Sequence, residues 1–405
     1  MILSYAVYGI YVVLALWGLR FAGFGKCYNE DFSSLHVTKS LRGLCALGII
    51  LHHISLQQSF RSTNELGIFS VSGIFFVSVF FFYSGYGLLK SIDTKPGYLE
   101  NFIKSRVLKA LVIPFYVNIL LYAVFFLAMG CSFPASKWIC GILGITLLNE
   151  YAWYPIVLVI LYLLFYVLFY NLSRREDAFY FVFLAVLAMA VVFCLAGHFP
   201  FNQKNPGWHL DVYALPESRW WEKSMQFWFH GEWWVNTPIV FLMGMIFANY
   251  EKNIVSWFKS FYWVKLIVTL ALFCLSAFVF FRVIAVHDYW SELIAGESCI
   301  MDRCIAFIVE EPMIILFMIL VVQVNMKFVS VNPVTRFLGT HSLETYLMNY
   351  MAVYGLSFMI YDSQMMPIVK EGHENLAFYA LSVVALTIVL GVAFRLALKK
   401  LIFRR

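Results

Sequence analysis

Of 405 residues, 62% are hydrophobic and 13% charged, with 29 Lys and Arg against 23 Asp and Glu. A water-soluble domain of this length needs far more charge to cover its surface, so the composition excludes one. The net charge of +6 is explained by how the basic residues divide among loops, and no segment looks like a nucleic-acid-binding module.

Apolar runs long enough to cross roughly 30 Å of hydrocarbon, about 20 residues each, recur from end to end. They predict spans over 2–22, 41–57, 69–90, 107–129, 153–172, 178–197, 235–250, 262–283, 304–324, 337–361 and 376–398. Backbone groups in lipid must pair within their own segment, so each span is expected to be a helix. A transmembrane barrel would alternate polar and apolar residues, and these runs do not. The expected fold is all-α, a polytopic membrane helical bundle of about 11 transmembrane helices. The first run has no basic leader, and Arg20 rather than a small-residue cleavage site follows it. It therefore reads as a retained helix and not as a cleavable signal peptide.

Ionisable groups inside spans are costly, which makes them functional candidates. The second span opens on Lys39, Ser40, Leu41, Arg42 and Gly43 and ends in His52 and His53. His53 lies eleven residues beyond Arg42, about 16 Å deeper at 1.5 Å per residue, which places it near mid-membrane. Adjacent helix positions point about 100° apart, so only one of the two imidazoles can face a given cavity. Either is a candidate base or a satisfied packing residue. The third span carries Ser84 before Gly85. Lys104, Arg106 and Lys109 precede the fourth, with Pro114 further in. Such a cluster anchors topology or holds phosphates, which Arg engages through two parallel hydrogen bonds. Arg106 and Lys109, three apart, share a face of an α-helix.

Residues 138–149 are apolar but too short to cross, and are expected to re-enter or lie at the outer interface. The connection 198–234 holds six tryptophans, Trp220 and Trp221 among them. It reads as an interfacial aromatic belt or as a platform for apolar sugar faces. Glu310 and Glu311 precede Pro312 within a span; they bind acceptor hydroxyls or form a solvated helix end. His341, Ser342, Glu344 and Asn349 are the polar groups of the penultimate span. Among eight cysteines, Cys131 with Cys140 and Cys299 with Cys304 are candidate outer pairs, while Cys45, Cys194 and Cys274 read as apolar core thiols. No His, Cys or Asp cluster has metal-ligand spacing.

The loops alternate in charge. One set holds twenty Lys and Arg, the opposite set eight, and Arg395 is left within the last span. The basic set faces the cytoplasm, which puts the N-terminus outside and the C-terminus inside.

Several of these segments, taken in order, resemble acyltransferase family 3, integral-membrane enzymes that O-acylate glycans. Leu41, Arg42 and Gly43 through His53 are similar to the family's first core helix, and Phe81 to Tyr86 to its phenylalanine–serine–glycine signature. Arg106, Lys109 and Pro114 resemble its basic pair followed by proline, and Trp153 with Tyr154 its tryptophan–aromatic helix start. Phe241 and Gly244 match its phenylalanine–glycine helix, and Phe337 to Tyr346 its penultimate one. The similarity runs from about 38 to 400. Three positions depart from it: Lys109 stands for a common second arginine, Lys39 for a common aspartate and Asn349 for a common histidine.

The resemblance implies a ten-helix core over 36–405, with 1–35 an added N-terminal transmembrane helix and cytoplasmic loop. It implies an O-acyltransferase of the plasma (inner) membrane that moves an acyl group, foremost acetyl, from acetyl-CoA or another acyl-CoA to a carbohydrate hydroxyl. No cofactor is bound permanently. His53 is the implied base. His52, Ser84, Trp153, Tyr154, Ser342, Glu344 and Asn349 are supporting candidates, and Arg42, Arg106 and Lys109 are the donor-binding ones. Trp220, Trp221, Glu310 and Glu311 are candidates for the acceptor. Two rivals stand beside it: a transporter or flippase of a lipid-linked sugar, against which the lack of internal repeats counts, and a non-catalytic membrane subunit.

Overall fold

The computed structural model describes residues 2–133, 135–144, 147–196, 235–287, 300–360 and 375–402. Helices occupy each place where an apolar run predicts one. Among the described residues, seven helices are long and apolar enough to cross a membrane. In chain order the main helices are α1 (Ile2–Leu16), α2 (Leu35–Ser55), α3 (Gln58–Thr63), α4 (Gly67–Ser70) and α5 (Gly73–Thr94). A π-helix (Ile103–Val112) leads into α6 (Ile113–Ala128), followed by α7 (Ala135–Ile142), α8 (Trp153–Asn171) and α9 (Arg175–Ala196). Then come α10 (Pro238–Lys259), α11 (Tyr262–His287), α12 (Ile300–Lys327), α13 (Pro333–Thr340), α14 (Ser342–Gly355) and α15 (Leu376–Ile402).

Three expectations are corrected by this arrangement. The first span does not run to residue 22. It ends at Leu16, because Gly18 turns the chain with φ near +74°. Residues Leu19–Phe21 then form a strand, β1, antiparallel to β2 (Phe328–Ser330), so the fold holds a small ribbon as well as helices. The span 337–361 is not one helix. Asn332 caps α13, its side chain accepting from Thr335 N at 2.9 Å, and His341 leaves helical geometry at φ −112°, ψ 14°, where α14 begins. The seventh span is longer than expected, since α10 kinks at Tyr250 and continues to Lys259.

The chain forms two compact units. The first comprises Met1–Phe80, Leu120–Ser132 and Val322–Arg405. Here α1 and the loop after it are tied to the end of α12 and to the strand that follows it. Lys327 is fully buried, and its Nζ donates to the carbonyls of Gly23, Gly25 and Cys27 at 2.8, 2.6 and 2.6 Å. Its ammonium also lies 4.1 Å from the Tyr28 ring centre. This lysine, which sequence treats as one more loop charge, folds the loop around itself. Arg20 and Asp31 form an exposed ion pair beside it, and the guanidinium holds the Asp31 carboxyl below its ordinary pKa.

Small residues permit the closest helix crossings, because without Cβ two backbones can touch. A side chain at Gly43 of α2 would run into the Thr335 carbonyl, and one at Gly339 of α13 into the Lys39 carbonyl. Ser40 and Thr335 hydroxyls meet at 2.5 Å beside this crossing.

The second unit comprises Phe81–Ile119 and Phe133–Val321. The same device recurs there. A side chain at Gly85 of α5 would enter the Phe241 carbonyl, and one at Gly244 of α10 the Phe82 carbonyl. Phe102, fully buried, sits among the rings of Tyr98, Tyr162, Phe165 and Tyr166 and packs the start of the π-helix on α8. Arg303 is buried and donates to the carbonyls of Cys194 and Leu195 at 2.9 and 3.1 Å, satisfying the open end of α9. Cys131 and Cys140 both remain thiols. Cys299 lies outside the described residues, while Cys304 packs against Cys194.

Candidate active site

The first unit gathers its polar groups around the C-terminal half of α2. His53 is buried, and its Nδ1 donates to Oδ1 of Asn349 on α14 at 2.6 Å. The Asn349 amide in turn donates to the hydroxyl of Thr387 on α15 at 3.0 Å. Asn349 and Thr387 are both fully buried. Three helices thus contribute one residue each to a hydrogen-bonded line. An amide held at its nitrogen presents its oxygen to the ring, so Nδ1 carries the proton and Nε2 is left as the basic nitrogen. Asparagine here does the orienting that a carboxylate does in other imidazole-based sites.

Tyr122, from the second half of α6, acts on the same segment. Its hydroxyl accepts from Met351 N at 2.7 Å and donates to Leu347 O at 3.1 Å. Those two backbone groups are i and i+4 partners of an uninterrupted helix. The phenol bridges them, pinning α6 to the turn of α14 that carries Asn349. Neither Tyr122 nor Thr387 emerges from reading the sequence. Each is one hydroxyl among others in an apolar run, with nothing in the sequence to single it out.

His52 resolves differently from its neighbour. Its Nδ1 donates to Phe69 O at 2.9 Å, and a Cβ at Gly73 would sit 2.5 Å from its Nε2. It is a packing histidine with a backbone partner. Ser342 donates to Gly339 O at 3.3 Å within its own turn. Glu344 faces Arg395 across 3.5 Å, and Arg395 also donates to Thr340 O at the end of α13. The arginine inside the last span thereby has its counter-charge.

The donor candidates divide between the units. Arg42, in the first, donates from Nε to Thr38 O at 3.3 Å on its own helix. Arg106 and Lys109 belong to the second, on the π-helix, with the Arg106 guanidinium 5.7 Å from the Tyr98 ring centre. The expectation that Arg106 and Lys109 share a face is corrected. In a π-helix each N–H reaches the carbonyl five residues back, so Lys109 stands over Lys104 and turns away from Arg106.

In the second unit, Trp153 stacks on Phe81 at 6.4 Å and Tyr154 meets the same ring edge-on at 4.8 Å. Both are packing partners of the helix that carries Ser84. The phenylalanine and glycine signatures around Phe81 and Phe241 therefore mark a helix crossing. Asn149, unremarked in the sequence, donates to Asn118 Oδ1 at 3.0 Å, with both side chains fully buried.

Glu310 and Glu311 are 3% and 8% exposed, which removes the reading of a solvated helix end. Both Glu311 oxygens are buried with no hydrogen-bond partner among the described residues. Trp220 and Trp221 lie outside the described residues.

Searches among curated proteins and among solved structures returned no match. The family model described as an acyltransferase domain matches residues 39–396, from the start of the α2 crossing to the last turns of α15. That is most of the chain, and by it the protein belongs to acyltransferase family 3.

Proposed function

We propose that the protein is a membrane O-acyltransferase that moves an acyl group, foremost acetyl, from cytoplasmic acyl-CoA to a hydroxyl of a cell-surface or lipid-linked glycan. The observation that carries this reading is the buried His53, its Nδ1 bound to Asn349 and its Nε2 thereby basic. A sugar hydroxyl is a weak nucleophile at neutral pH. Nε2 takes its proton as the oxygen attacks the thioester carbonyl, which contributes about 10²–10⁴-fold. The tetrahedral adduct collapses, the C–S bond breaks, and the proton passes from His53 to the departing thiolate.

Arg42, Arg106, Lys109 and, by its register on the π-helix, Lys104 bind the phosphates of coenzyme A or polarise the thioester oxygen. The buried pair Glu310 and Glu311, and Trp220 with Trp221, serve the acceptor. The bundle comprises eleven spans, a ten-helix core preceded by α1, in the plasma membrane. The N-terminus is outside and the C-terminus cytoplasmic, as the division of basic loops supports.

His53→Ala abolishes transfer from radiolabelled acetyl-CoA to envelope glycans while the protein still inserts and purifies, and His52→Ala retains most activity. Full transfer by purified His53→Ala protein sinks the assignment of the base.

A further inference from the structure

Two adjoining cavities, of about 250 and 420 Å³, open at the end of α2 that carries His53. The smaller is lined by Ser55, Arg61, Asn64, Glu65 and Ser70. Ser55 is two residues past His53, about 3 Å further along the helix axis. The larger is walled by Ser4, Tyr5, Tyr8 and Ile68, and the two share Asn64 and Gly67. One wall of the larger cavity is thus α1, the helix outside the span of the family match.

The groove is built. Ser4 N donates to Glu65 at 3.0 Å, the Ser4 hydroxyl bonds the same carboxylate, and Leu66 N donates to that hydroxyl at 2.9 Å. Ile68 N donates to the Tyr8 hydroxyl at 3.2 Å, and Tyr8 and Tyr11 both pack on Phe69. Phe69 is the residue whose carbonyl holds His52. At the junction of the two cavities, a Cβ on Gly67 would press to 2.6 Å from Asn64 Oδ1, so glycine keeps that amide in place. Asn64 itself is held in the left-handed region, φ 53°.

We propose that this groove is the acceptor subsite and takes a saccharide, with α1 supplying its aromatic wall. Sugars combine an apolar ring face with dense hydroxyls, and the groove combines both complements. Tyr5, 71% exposed, offers a ring for stacking. Ser55, Asn64 and Ser70 offer short donors and acceptors, and the exposed Arg61 adds a cation at the rim. Together the volumes match those of ordinary ligand sites, about 300–1,000 Å³, and admit a short oligosaccharide. The proposal rests on the acyltransferase reading for what the bound sugar undergoes, and not for its binding.

The test uses full-length protein in detergent, with chitotetraose, tetragalacturonate and maltotetraose as probes and sorbitol as the non-ring control. Ile68→Cys places a thiol in the groove, and the rate at which it takes up a maleimide is read by mass spectrometry of its peptide. At least one oligosaccharide is expected to slow labelling five-fold or more where sorbitol does not. In transfer assays with the saccharide that protects, Tyr5→Ala raises the acceptor KM about five-fold and leaves the acetyl-CoA KM unchanged. Tyr180→Ala, at another exposed tyrosine, on α9, moves neither. Protection without transfer upholds the groove and overturns the enzymatic reading. Transfer without protection, at unchanged acceptor KM in Tyr5→Ala, overturns the groove and leaves the enzyme. Neither protection nor transfer overturns both.

Discussion

Replacing Asn349 by leucine, nearly its shape, removes both hydrogen bonds of the line from His53 to Thr387. Two magnitudes decide what should be seen. In water-soluble proteins an orphaned buried donor costs about 1–3 kcal/mol. Between membrane helices a hydrogen bond is worth less, about 0.6 kcal/mol on average and at most about 1.7, because the unfolded chain in lipid also finds partners. The lower scale applies here, and over the two bonds lost it comes to about 1–3 kcal/mol for Asn349→Leu, so the protein stays folded at assay temperature. The effect on turnover is of another order. Without Asn349 Oδ1 the ring loses its orientation and the tautomer with basic Nε2. A hundred-fold fall in kcat already corresponds to about 2.7 kcal/mol of transition-state stabilisation. We expect at least that fall, with acetyl-CoA KM within two-fold of wild type. Asn349→Asp keeps an acceptor toward His53, and the Thr387 hydroxyl can rotate to donate to it, so that variant should keep most of its kcat. Transfer by Asn349→Leu within three-fold of wild type refutes the positioning role. Equal loss in both variants, with equal loss of thermal stability, assigns Asn349 to packing alone.

Lys327→Met removes the ammonium that three carbonyls share and should lower stability by about 3–5 kcal/mol, the scale of breaking a buried polar network by removing one partner. Thermal unfolding in detergent measures this, and limited proteolysis should newly cut the loop between Gly23 and Asn29. Glu311→Gln removes a buried carboxyl whose oxygens have no partner among the described residues. It should leave stability unchanged or higher while cutting transfer ten-fold or more, and wild-type transfer would exclude the glutamate from the reaction.

The sequence made the helices legible because length and apolarity are properties of local runs, and each run did become largely helical. Its boundaries failed where tertiary contacts end a helix. The ribbon of β1 and β2 stops α1 early through pairing with residues some three hundred positions away, which no local window can see. Gly18 is the trace of that turn. The break at His341 had a visible signal in Asn332 and Pro333, a cap and a first-turn proline, but these mark a start and not the stop eight residues later. Of the site, His53 and Asn349 were legible as ionisable or polar groups in apolar spans. Their pairing was not, nor was Thr387, because adjacency between spans is set by packing.

The recurrent motifs divide by what they do, and the division bears on how the reaction is confined. Gly43 meets α13 beside Thr335, and Gly85 meets Phe241, so two of the most recognisable segments are places where backbones touch. Their conformation leaves no room for a side chain, and hence little freedom for the helices they join. His53 lies ten residues beyond the Gly43 crossing on the same helix, about 15 Å along the axis. The crossing fixes α2 at one end, while Tyr122 pins α14 to α6 near the other. That pair of constraints puts an imidazole against an amide at 2.6 Å inside an apolar bundle, where a misplacement of about 1 Å can cost a hundred-fold in rate. On the proposed mechanism the Gly43 crossing therefore positions the histidine, although it touches no substrate. It acts by removing the alternative positions α2 would otherwise sample.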